Sequence, residues 1–351
     1  MIWRYLLGRL LLMVPTLIGV LAVTFLIIQF VPGGPVEQMV QQLTHAGVAG
    51  EAATAQSGAL RGSQGLSPDE VAALAQLYGF DRPPLQRFAD MLLRFARFDL
   101  GESFYHHQSV GALILEKLPV SMTLGLWTFF ITYLVSLPLG IRKAVRDGSP
   151  FDVATSSALL VGYAIPGFVL GLALLVLFGG GSFWQLFPLR GLTSENWVQL
   201  SFGGKLVDYL WHITLPVTAS VVGNLAVMTL LTKNVFLEEI RRQYVYTARA
   251  KGLSERAILY RHVLRNAMIP LITGFPAAFI GAFFTGSLLI ETLFSLDGLG
   301  LLSYESVIRR DYPVVMGTLY VFTLLGLVAK LLSDLAYLWV DPRVSFEGRP
   351  R

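Results

Sequence analysis

Long apolar stretches alternate along this chain with shorter stretches that hold most of its Lys and Arg residues. A helix that crosses a bilayer needs roughly 20 mostly apolar residues, and six stretches meet that condition. They lie at about Leu10–Val31, Val120–Ile141, Val153–Phe178, His212–Thr232, Ala267–Ile290 and Pro313–Val340. The pattern predicts an all-α integral membrane protein with six transmembrane helices.

The first apolar stretch has two possible interpretations. A secretory signal peptide has an apolar region of about 7 to 15 residues, followed by a cleavage site of small residues. Here the apolar region is longer, and the sequence Pro-Gly-Gly-Pro follows it. We therefore predict an uncleaved membrane anchor.

Composition supports the same class of protein. Hydrophobic residues make up 54% of the chain and charged residues only 14%, whereas about a quarter of the residues in a soluble domain are charged. The chain has no Cys, which excludes disulfides and thiolate-bound metals. The net charge of +4 alone is compatible with a nucleic-acid partner, but the distribution of the basic residues predicts none.

Basic residues collect in alternate connections between the apolar stretches, and cytoplasmic loops of membrane proteins carry such an excess. The connection between the fourth and fifth stretches contains Lys233, Arg241, Arg242, Arg249, Lys251, Arg256, Arg261 and Arg265. Both termini are then cytoplasmic. This division gives an N-terminal anchor (residues 1–31), an external segment (32–118) and a membrane core (119–351), with a basic cytoplasmic loop at about 233–266.

The external segment begins with a stretch rich in Ala, Gly, Ser and Gln, at residues 44–66, which predicts a flexible insertion. A helix is expected after it, with Ser67 as its cap and Pro68 in its first turn. A second helix follows, with an apolar face formed by Leu85, Phe88, Ala89, Leu92 and Ala96. That face suits either the membrane surface or packing against protein.

The segment Tyr244–Pro270 combines basic charge with signals of ordered structure. Gly252 separates a helix predicted over Glu238–Lys251 from a second helix that Ser254 is expected to cap. The second helix has an apolar stripe of Ala257, Leu259, Tyr260, Val263, Leu264 and Ala267. Contact with anionic lipid would explain only the charge of this segment. The break, the cap and the stripe predict two short helices held rigidly against the spans, which can transmit force from a soluble partner.

The sequence TARAKGLSERAILYRHVLRNAMIP in this segment resembles the EAA loop of permease subunits of ATP-binding-cassette importers. It resembles most the form of this loop in the dipeptide, oligopeptide and nickel branch of that family. Gly252 matches the Gly of the motif, Ala248 its second Ala and Leu264 its Leu. Tyr246 and Thr247 replace the initial Glu-Ala, so no contact is assigned here to that Glu.

The resemblance covers nearly the whole chain. The strings YGFDRPPLQRF, FDLGESF, GYAIPGF, ETLFSLDGLG and RRDYPVVMGTLY are similar to family signatures outside the loop. FDVATSSALLVGYAIPGF and SFEGR are similar to the B permeases of a Yej-type subgroup. The family associates this subgroup with oligopeptides and with peptide-nucleotide antibiotics such as microcin C.

This resemblance implies a MetI-like permease of a type I importer, multi-pass in the bacterial inner membrane, that imports short peptides or peptide-like compounds. In this family the loop contacts the ATPase subunit. The corresponding positions in this chain are Tyr246, Thr247, Ala248, Ala250, Lys251, Gly252, Leu253, Ser254 and Ala257. The implied partners are a second permease, one or more ATPase subunits, a periplasmic peptide-binding protein and membrane lipid.

The chain itself is predicted to be non-catalytic and to bind no cofactor. No G-x-x-x-x-G-K-[ST] phosphate loop occurs, and the nearest string, Gly203–Leu206, lacks the hydroxyl that binds magnesium. The resemblance places ATP and Mg at the partner ATPase.

A few polar residues and helix breakers inside the spans are candidates for roles in transport. Asn224 is a candidate for the translocation pathway or for an interhelical hydrogen bond, and Thr285 is a second pathway candidate. Pro166 and Gly167 are candidate hinges. Gly274, Ala278, Ala282 and Gly286 recur at i,i+4 spacing, which predicts close helix packing with a second permease or within this chain.

Two further pairs of polar residues are interpreted as structural. Lys330 and Asp334 are interpreted as a neutralising pair in the last span, with a proton relay as the alternative. His106 and His107 are adjacent and have no carboxylate cluster near them in sequence, so no metal site is predicted.

Three other functional classes remain open. A self-sufficient secondary transporter or channel would show an internal repeat or several buried charges, and the sequence shows neither clearly. A permease for nickel or another solute of the same branch would share the motifs above. A membrane scaffold would have no use for the segmented basic loop.

Overall fold

The computed structural model describes residues 2–30, 82–179, 183–284 and 287–340. The regular structure in these ranges is helical, apart from an isolated bridge between Glu102 and Ser109. The helices are α1 (Ile2–Phe30), α2 (Pro84–Phe95), α3 (Val110–Val145), α4 (Pro150–Ala164), α5 (Gly167–Phe178), α6 (Phe202–Ile240), α7 (Gln243–Ala250), α8 (Glu255–Ala257), α9 (Leu264–Ala267), α10 (Ile269–Phe284), α11 (Leu288–Leu293), α12 (Leu299–Ile308) and α13 (Tyr312–Val340). A 3₁₀ turn occupies Trp197–Gln199, and the π-helical segment Ile258–Val263 joins α8 to α9.

Five helices in the described ranges are long and apolar enough to cross a membrane, and a bent pair brings the number to six. The five are α1, α3, α6, the run Ile269–Leu293 and α13. The bent pair consists of α4 and α5, which meet at 91°. The all-α class is thus confirmed in the described part of the chain, and the third predicted span is the one that is broken.

Pro166 causes this break. A proline has no N–H to donate and forces the residue before it out of the helical region. Ile165 is accordingly extended, with φ −88° and ψ 117°, and α5 starts at Gly167. A Cβ atom on Gly167 would lie 3.2 Å from the Ala219 carbonyl oxygen, so the bend packs closely against α6.

Helix α6 is much longer than the predicted span His212–Thr232. It begins at Phe202, and the side chain of Ser201 before it accepts a hydrogen bond from the Gly204 N–H. Its polar side chains weaken the apolar pattern, yet they bond within the helix. Thr218 Oγ1 donates to the Thr214 carbonyl at 2.7 Å, and Asn224 Nδ2 donates to the Ser220 carbonyl at 2.8 Å. Polar side chains whose hydrogen bonds are made within their own helix are compatible with an apolar surrounding.

The chain divides into two compact units, the larger of which is built around Glu116–Leu302. Two apolar clusters form its core. One joins α3, α6 and α11 through Leu124, Ile213, Leu215, Val217, Ala219, Val221, Ile290, Phe294 and Leu296. The other joins the C-terminal turns of α3 and α6 to the segment after α6 through Ala144, Phe236, Val245, Ala248, Ile258, Val263, Ala267 and Leu271.

Small residues let α3 and α10 approach closely within this larger unit. A Cβ atom on Gly125 of α3 would overlap the carbonyl oxygen of Ala282 of α10. Of the predicted stripe on α10, Ala282 is therefore packed within this chain, whereas Gly274 and Ala278 are exposed. Gly286 lies outside the described residues. The complementary glycine on α3 was not part of the prediction.

The second unit is built around the described residues of Leu7–Leu115 together with Ser303–Leu324. Helix α2 packs on α1 here, with the rings of Phe25 and Phe88 5.2 Å apart and Arg87 donating to Gln29 Oε1 at 2.6 Å. Phe95 is buried, whereas Leu85 is 80% exposed. Phe88 of the predicted face therefore packs against protein, and contact of its exposed end at Leu85 with the membrane surface stays a prediction.

Asp311 ties two of the quoted strings, FDLGESF and RRDYP, together within this second unit. Its carboxylate accepts from the Ser103 hydroxyl at 2.5 Å and from the Phe104 N–H at 3.2 Å. Ser103 in turn accepts from the backbone N–H of His106 at 2.9 Å. The side chains of His106 and His107 are exposed. The predicted cap at Ser67 lies outside the described residues.

We expect Gly125→Ala to destabilise the purified protein, because the added methyl must push the Ala282 carbonyl away. Overpacking of this kind costs about 1–3 kcal/mol. The matched control is Gly326→Ala on α13, where a Cβ atom meets nothing within 4 Å and the intrinsic preference for Ala in a helix favours the change. Melting temperatures in detergent should move in opposite directions, and a drop of equal size in both variants would refute this packing.

Candidate functional site

The basic segment after α6 folds into two short helical pieces, but their bounds differ from the prediction. A continuous helix over Glu238–Lys251 is wrong, because α6 ends at Ile240 and α7 begins at Gln243. Arg242 is extended between them, with φ −74° and ψ 148°. Its guanidinium reaches back to Glu238 at 3.0 Å and to Glu239 at 3.2 Å. Neither Gly nor Pro marks this break in the sequence.

The predicted break at Gly252 and cap at Ser254 are both confirmed. Gly252 has φ +80°, a conformation that favours glycine, and its N–H donates to the Arg249 carbonyl at 3.0 Å. A Cβ atom there would meet nothing within 4 Å, so backbone conformation alone requires the glycine. The Ser254 side chain accepts from the Ala257 N–H at 3.3 Å.

The second piece is not a regular α-helix, and this changes its buried face. Residues Ile258–Val263 are π-helical, so residues five apart lie on one side. Ile258 and Val263 are both buried, and Ala267 follows on the same side. The predicted stripe is therefore wrong at Tyr260, which is 57% exposed, and it missed Ile258.

We call these two pieces the helical loop (residues 243–267). They pack against three longer helices. Val245 and Ala248 of α7 and Ile258 of the π segment enter the second apolar cluster. Phe236 of α6 is completely buried in the same cluster. The loop is therefore a packed body on the ends of α3, α6 and α10, as the rigid arrangement predicted from sequence requires.

The outer surface of the helical loop carries most of the residues matched to the coupling motif. Tyr246, Thr247, Ala250, Lys251, Gly252 and Ser254 are exposed; Leu253 and Ala257 are half-buried; Ala248 is buried. The surface is basic as well, with Arg249, Lys251, Arg256, Arg261 and Arg265 all exposed. The motif thus divides into an outward set available to a partner and Ala248, which anchors the loop.

One ion pair braces this surface across the Gly252 turn. Arg249 binds Glu255 through two hydrogen bonds, of 2.5 Å and 2.9 Å. These bonds lower the pKa of the Glu255 carboxyl, and the Arg249 guanidinium also lies 5.8 Å from the centre of the Tyr246 ring. The outward residues on either side of the turn are therefore held in a defined geometry.

The remaining candidate residues are scattered. Asn224 is exposed on α6, Pro166 and Gly167 form the bend between α4 and α5, and Thr285 lies outside the described residues. Hinge motion at the bend and a pathway role for Asn224 stay predictions. Lys330 is exposed and Asp334 half-buried on α13, and their interpretation as a neutralising pair also stays a prediction.

Sequence reasoning missed a buried charged cluster between α3, α4 and α6. Lys143 is 0% exposed and forms an ion pair with Asp152 at 3.0 Å. Lys233 binds the same carboxylate at 2.7 Å. In the sequence Lys233 indicates only the orientation of the chain. The one available signal was the sequence Ser149-Pro150-Phe151-Asp152, which marks a helix start with a carboxylate in its first turn but does not indicate Lys233, 81 residues further on.

A buried carboxylate before α12 was also missed. Glu291 is completely buried and accepts from the Leu301 N–H at 2.7 Å and from the Ser121 hydroxyl at 3.2 Å. Ser121 accepts from the Leu299 N–H at 2.9 Å, so both residues satisfy the first turn of α12. A Cβ atom on Gly298 would lie 2.5 Å from the Glu291 carboxyl group, which accounts for the glycine in the ETLFSLDGLG string.

A chain of long apolar helices with a packed basic helical loop has the architecture of a transport permease. This chain belongs to the family of binding-protein-dependent transport system inner membrane components, whose model matches residues 136–346. It is a multi-pass inner membrane permease subunit of an ATP-binding-cassette transporter. Such subunits are non-catalytic, and ATP hydrolysis belongs to a separate subunit of the complex.

Whole-length relatives confirm the resemblance to the Yej-type subgroup. The chain is 56% identical to the peptidoglycan transport system permease protein YejB of Agrobacterium fabrum, over 98% of this chain and 99% of that protein. It is 53% identical to the inner membrane ABC transporter permease protein YejB of Escherichia coli O157:H7, with the same coverage. It is 31% identical to the di/tripeptide transport system permease protein DppB of Pseudomonas aeruginosa, over 96% and 97% of the two chains.

We expect Glu291→Gln to lower the melting temperature of the purified chain. An amide presents N–H groups to donors that now face a carboxylate, and leaving buried donors unsatisfied costs about 1–3 kcal/mol. The control is Glu305→Gln on α12, whose side chain is 39% exposed and pairs with Arg309 at 3.4 Å. Equal melting temperatures for Glu291→Gln and the control would contradict the capping role.

Proposed function

We propose that this permease imports short peptides or peptide-containing compounds, and that its helical loop receives the movement of the ATPase subunit. The names of the relatives support the substrate class, since one is a peptidoglycan transport system permease and another a di/tripeptide permease. The sequence itself adds the peptide-branch form of the loop motif.

One observation carries the coupling part of this proposal. The helical loop presents a defined outer surface while its inner surface packs on the ends of α3, α6 and α10. A force applied to such a packed body moves the attached helices, whereas a force applied to an unpacked loop deforms only the loop. Alternating access by rigid-body movement of helices follows from that attachment.

The proposed assembly contains a second permease, one or more ATPase subunits and a periplasmic peptide-binding protein. ATP and Mg bind at the ATPase. The family description names binding-protein dependence, which supports the last of these partners. The exposed apolar side chains of α4 and α5, including Val161, Phe168 and Leu172, suit contact with a second helical subunit or with lipid.

The buried charges do not favour a self-sufficient transporter. Lys143 lies in the last turn of α3 and Asp152 in the first turn of α4, so both belong to helix ends. They neutralise each other and are hydrogen-bonded within the chain. A proton or ion pathway through a span needs ionisable groups along its length, and this cluster does not supply them.

The sharpest test of coupling is Gly252→Val. A β-branched residue is strained at φ +80°, so the turn between α7 and α8 must change while the apolar cluster beneath it stays intact. We expect complex assembly to persist and ATP-driven peptide uptake by the reconstituted complex to fall about tenfold or more. The matched control is Gly191→Val, at φ +81° outside the helical loop. Unchanged uptake by the Gly252→Val complex would show that the loop does not couple.

A purification tests the assembly separately. The tagged chain, extracted in mild detergent, should bring with it an ATPase that carries phosphate loops and a second permease. Recovery of this chain alone, active in solute uptake after reconstitution, would overturn the proposed complex.

A further inference from the structure

Five charged side chains in the larger unit form a continuous series of ion pairs, which we call the charge network. Its links are Lys143–Asp152 at 3.0 Å, Lys233–Asp152 at 2.7 Å, Lys233–Asp147 at 2.9 Å and Arg241–Asp147 at 3.2 Å. The residues come from the end of α3, the turn after it, the start of α4, the end of α6 and the break before α7. The network therefore runs from the packed interior to the first residue of the break that leads into the helical loop.

Burial decreases along the network. The side chain of Lys143 is 0% exposed and that of Asp152 is 5% exposed, whereas Asp147 is 35% and Arg241 66% exposed. The buried ammonium is fully satisfied, because it also donates to the Asp152 carbonyl, Thr155 Oγ1 and Ser156 Oγ at 2.7–2.9 Å. A buried ion pair is tolerated when such additional hydrogen bonds complete it.

Asp152 also fixes the turn between α3 and α4. Its carboxylate accepts from the Gly148 N–H at 3.0 Å, and its own N–H donates to Ser149 Oγ at 3.2 Å. Beside it, a Cβ atom on Gly140 of α3 would lie 2.6 Å from the Thr232 side chain of α6. Close packing therefore holds α3 to α6 beside the network, and the ion pairs of Asp152 hold the start of α4 to both.

We propose that the charge network is a positioning element that makes the helical loop and α4 move together, so that a displacement of the loop reaches the bend at Pro166. This inference rests on the proposed coupling function. Arg241 begins the break that leads into α7, and Asp152 lies in the first turn of α4. The 15 residues of α4 then extend to the 91° bend.

Charge suits this task better than apolar contact. Apolar packing holds the loop on the helices, but the hydrophobic effect itself is non-directional and does not select fixed partners. Ion pairs with fixed partners resist sliding, since a shift of α6 relative to α4 would leave the buried Asp152 carboxylate without Lys233. The network thus keeps the end of α6 and the start of α4 in one arrangement while they move as a rigid body.

The test uses the exposed end of the network, where substitutions spare the core. Asp147→Asn, Arg241→Gln and the double variant are assembled with the partner subunits in liposomes. Peptide uptake and ATP hydrolysis are both measured per assembled complex. The matched controls are Glu305→Gln and Arg309→Gln, which break an ion pair of similar exposure at the end of α12.

We expect each network variant to lower peptide uptake per ATP hydrolysed about threefold or more. The double variant should be no worse than Asp147→Asn alone, because both changes break the same series of ion pairs. Arg241→Lys keeps the charge and should retain the wild-type ratio. The control variants should also retain the wild-type ratio of uptake to ATP hydrolysed.

A role only in folding would lower the amount of assembled complex and leave the ratio unchanged, and that result would overturn the proposal.

Additive losses in the double variant would also overturn it, since Asp147 and Arg241 would then act separately. The proposed function itself fails in a different way, because wild-type complex would then show no ATP-dependent uptake at all.

The lack of Cys allows a direct measurement of the joint movement. Spin labels at Tyr260→Cys in the helical loop and Ala154→Cys in α4, both exposed positions, report the distance between these elements in nucleotide-free and nucleotide-bound complexes. We expect that distance to stay constant with Asp147 present and to change with nucleotide in Asp147→Asn. The same behaviour in both backgrounds would show that the network does not hold loop and helix together.

Discussion

The burial of a few apolar side chains beneath the helical loop is the interaction on which the rest of this structure depends. Val245 and Ile258 leave water only because Phe236 and Ala144 present apolar surface at the ends of α6 and α3. Burial of such side chains contributes roughly 1.5–3 kcal/mol each, without fixing a direction. Direction comes from the polar contacts around the cluster, such as the Arg249–Glu255 pair, and the combination holds a basic segment in one orientation.

Irregular backbone appears in this molecule at the places where helices must change direction. Pro166 separates α4 from α5, Gly252 ends α7 with a positive φ, and the π-helical segment aligns Ile258 with Val263. Each irregularity has neighbours that complete it. The bend packs on α6, and Ser254 caps the helix that follows the Gly252 turn. The irregular segments are therefore defined parts of the fold, because packing or hydrogen bonds hold each of them in place.

The sequence was sufficient for the helical class, the spans, the Gly252 turn and the Ser254 cap. These features depend on local signals: a run of apolar residues, a glycine and a capping hydroxyl. The break at Arg242 was missed, because no turn residue marks it in the sequence and the packing of the helix that follows sets it. The clusters around Asp152 and Glu291 were missed for a related reason. Each joins residues far apart in sequence, and neither has a recognisable spacing.

Gly298 and Glu291 have a consequence for how such chains diverge. The carboxylate occupies the space in which any side chain at position 298 would begin. A larger residue at 298 is therefore acceptable only together with a shorter acid at 291, so the two positions must change as a pair over evolutionary time. Homologous permeases that lack the glycine should also lack the glutamate, and this co-variation can be read from sequences alone.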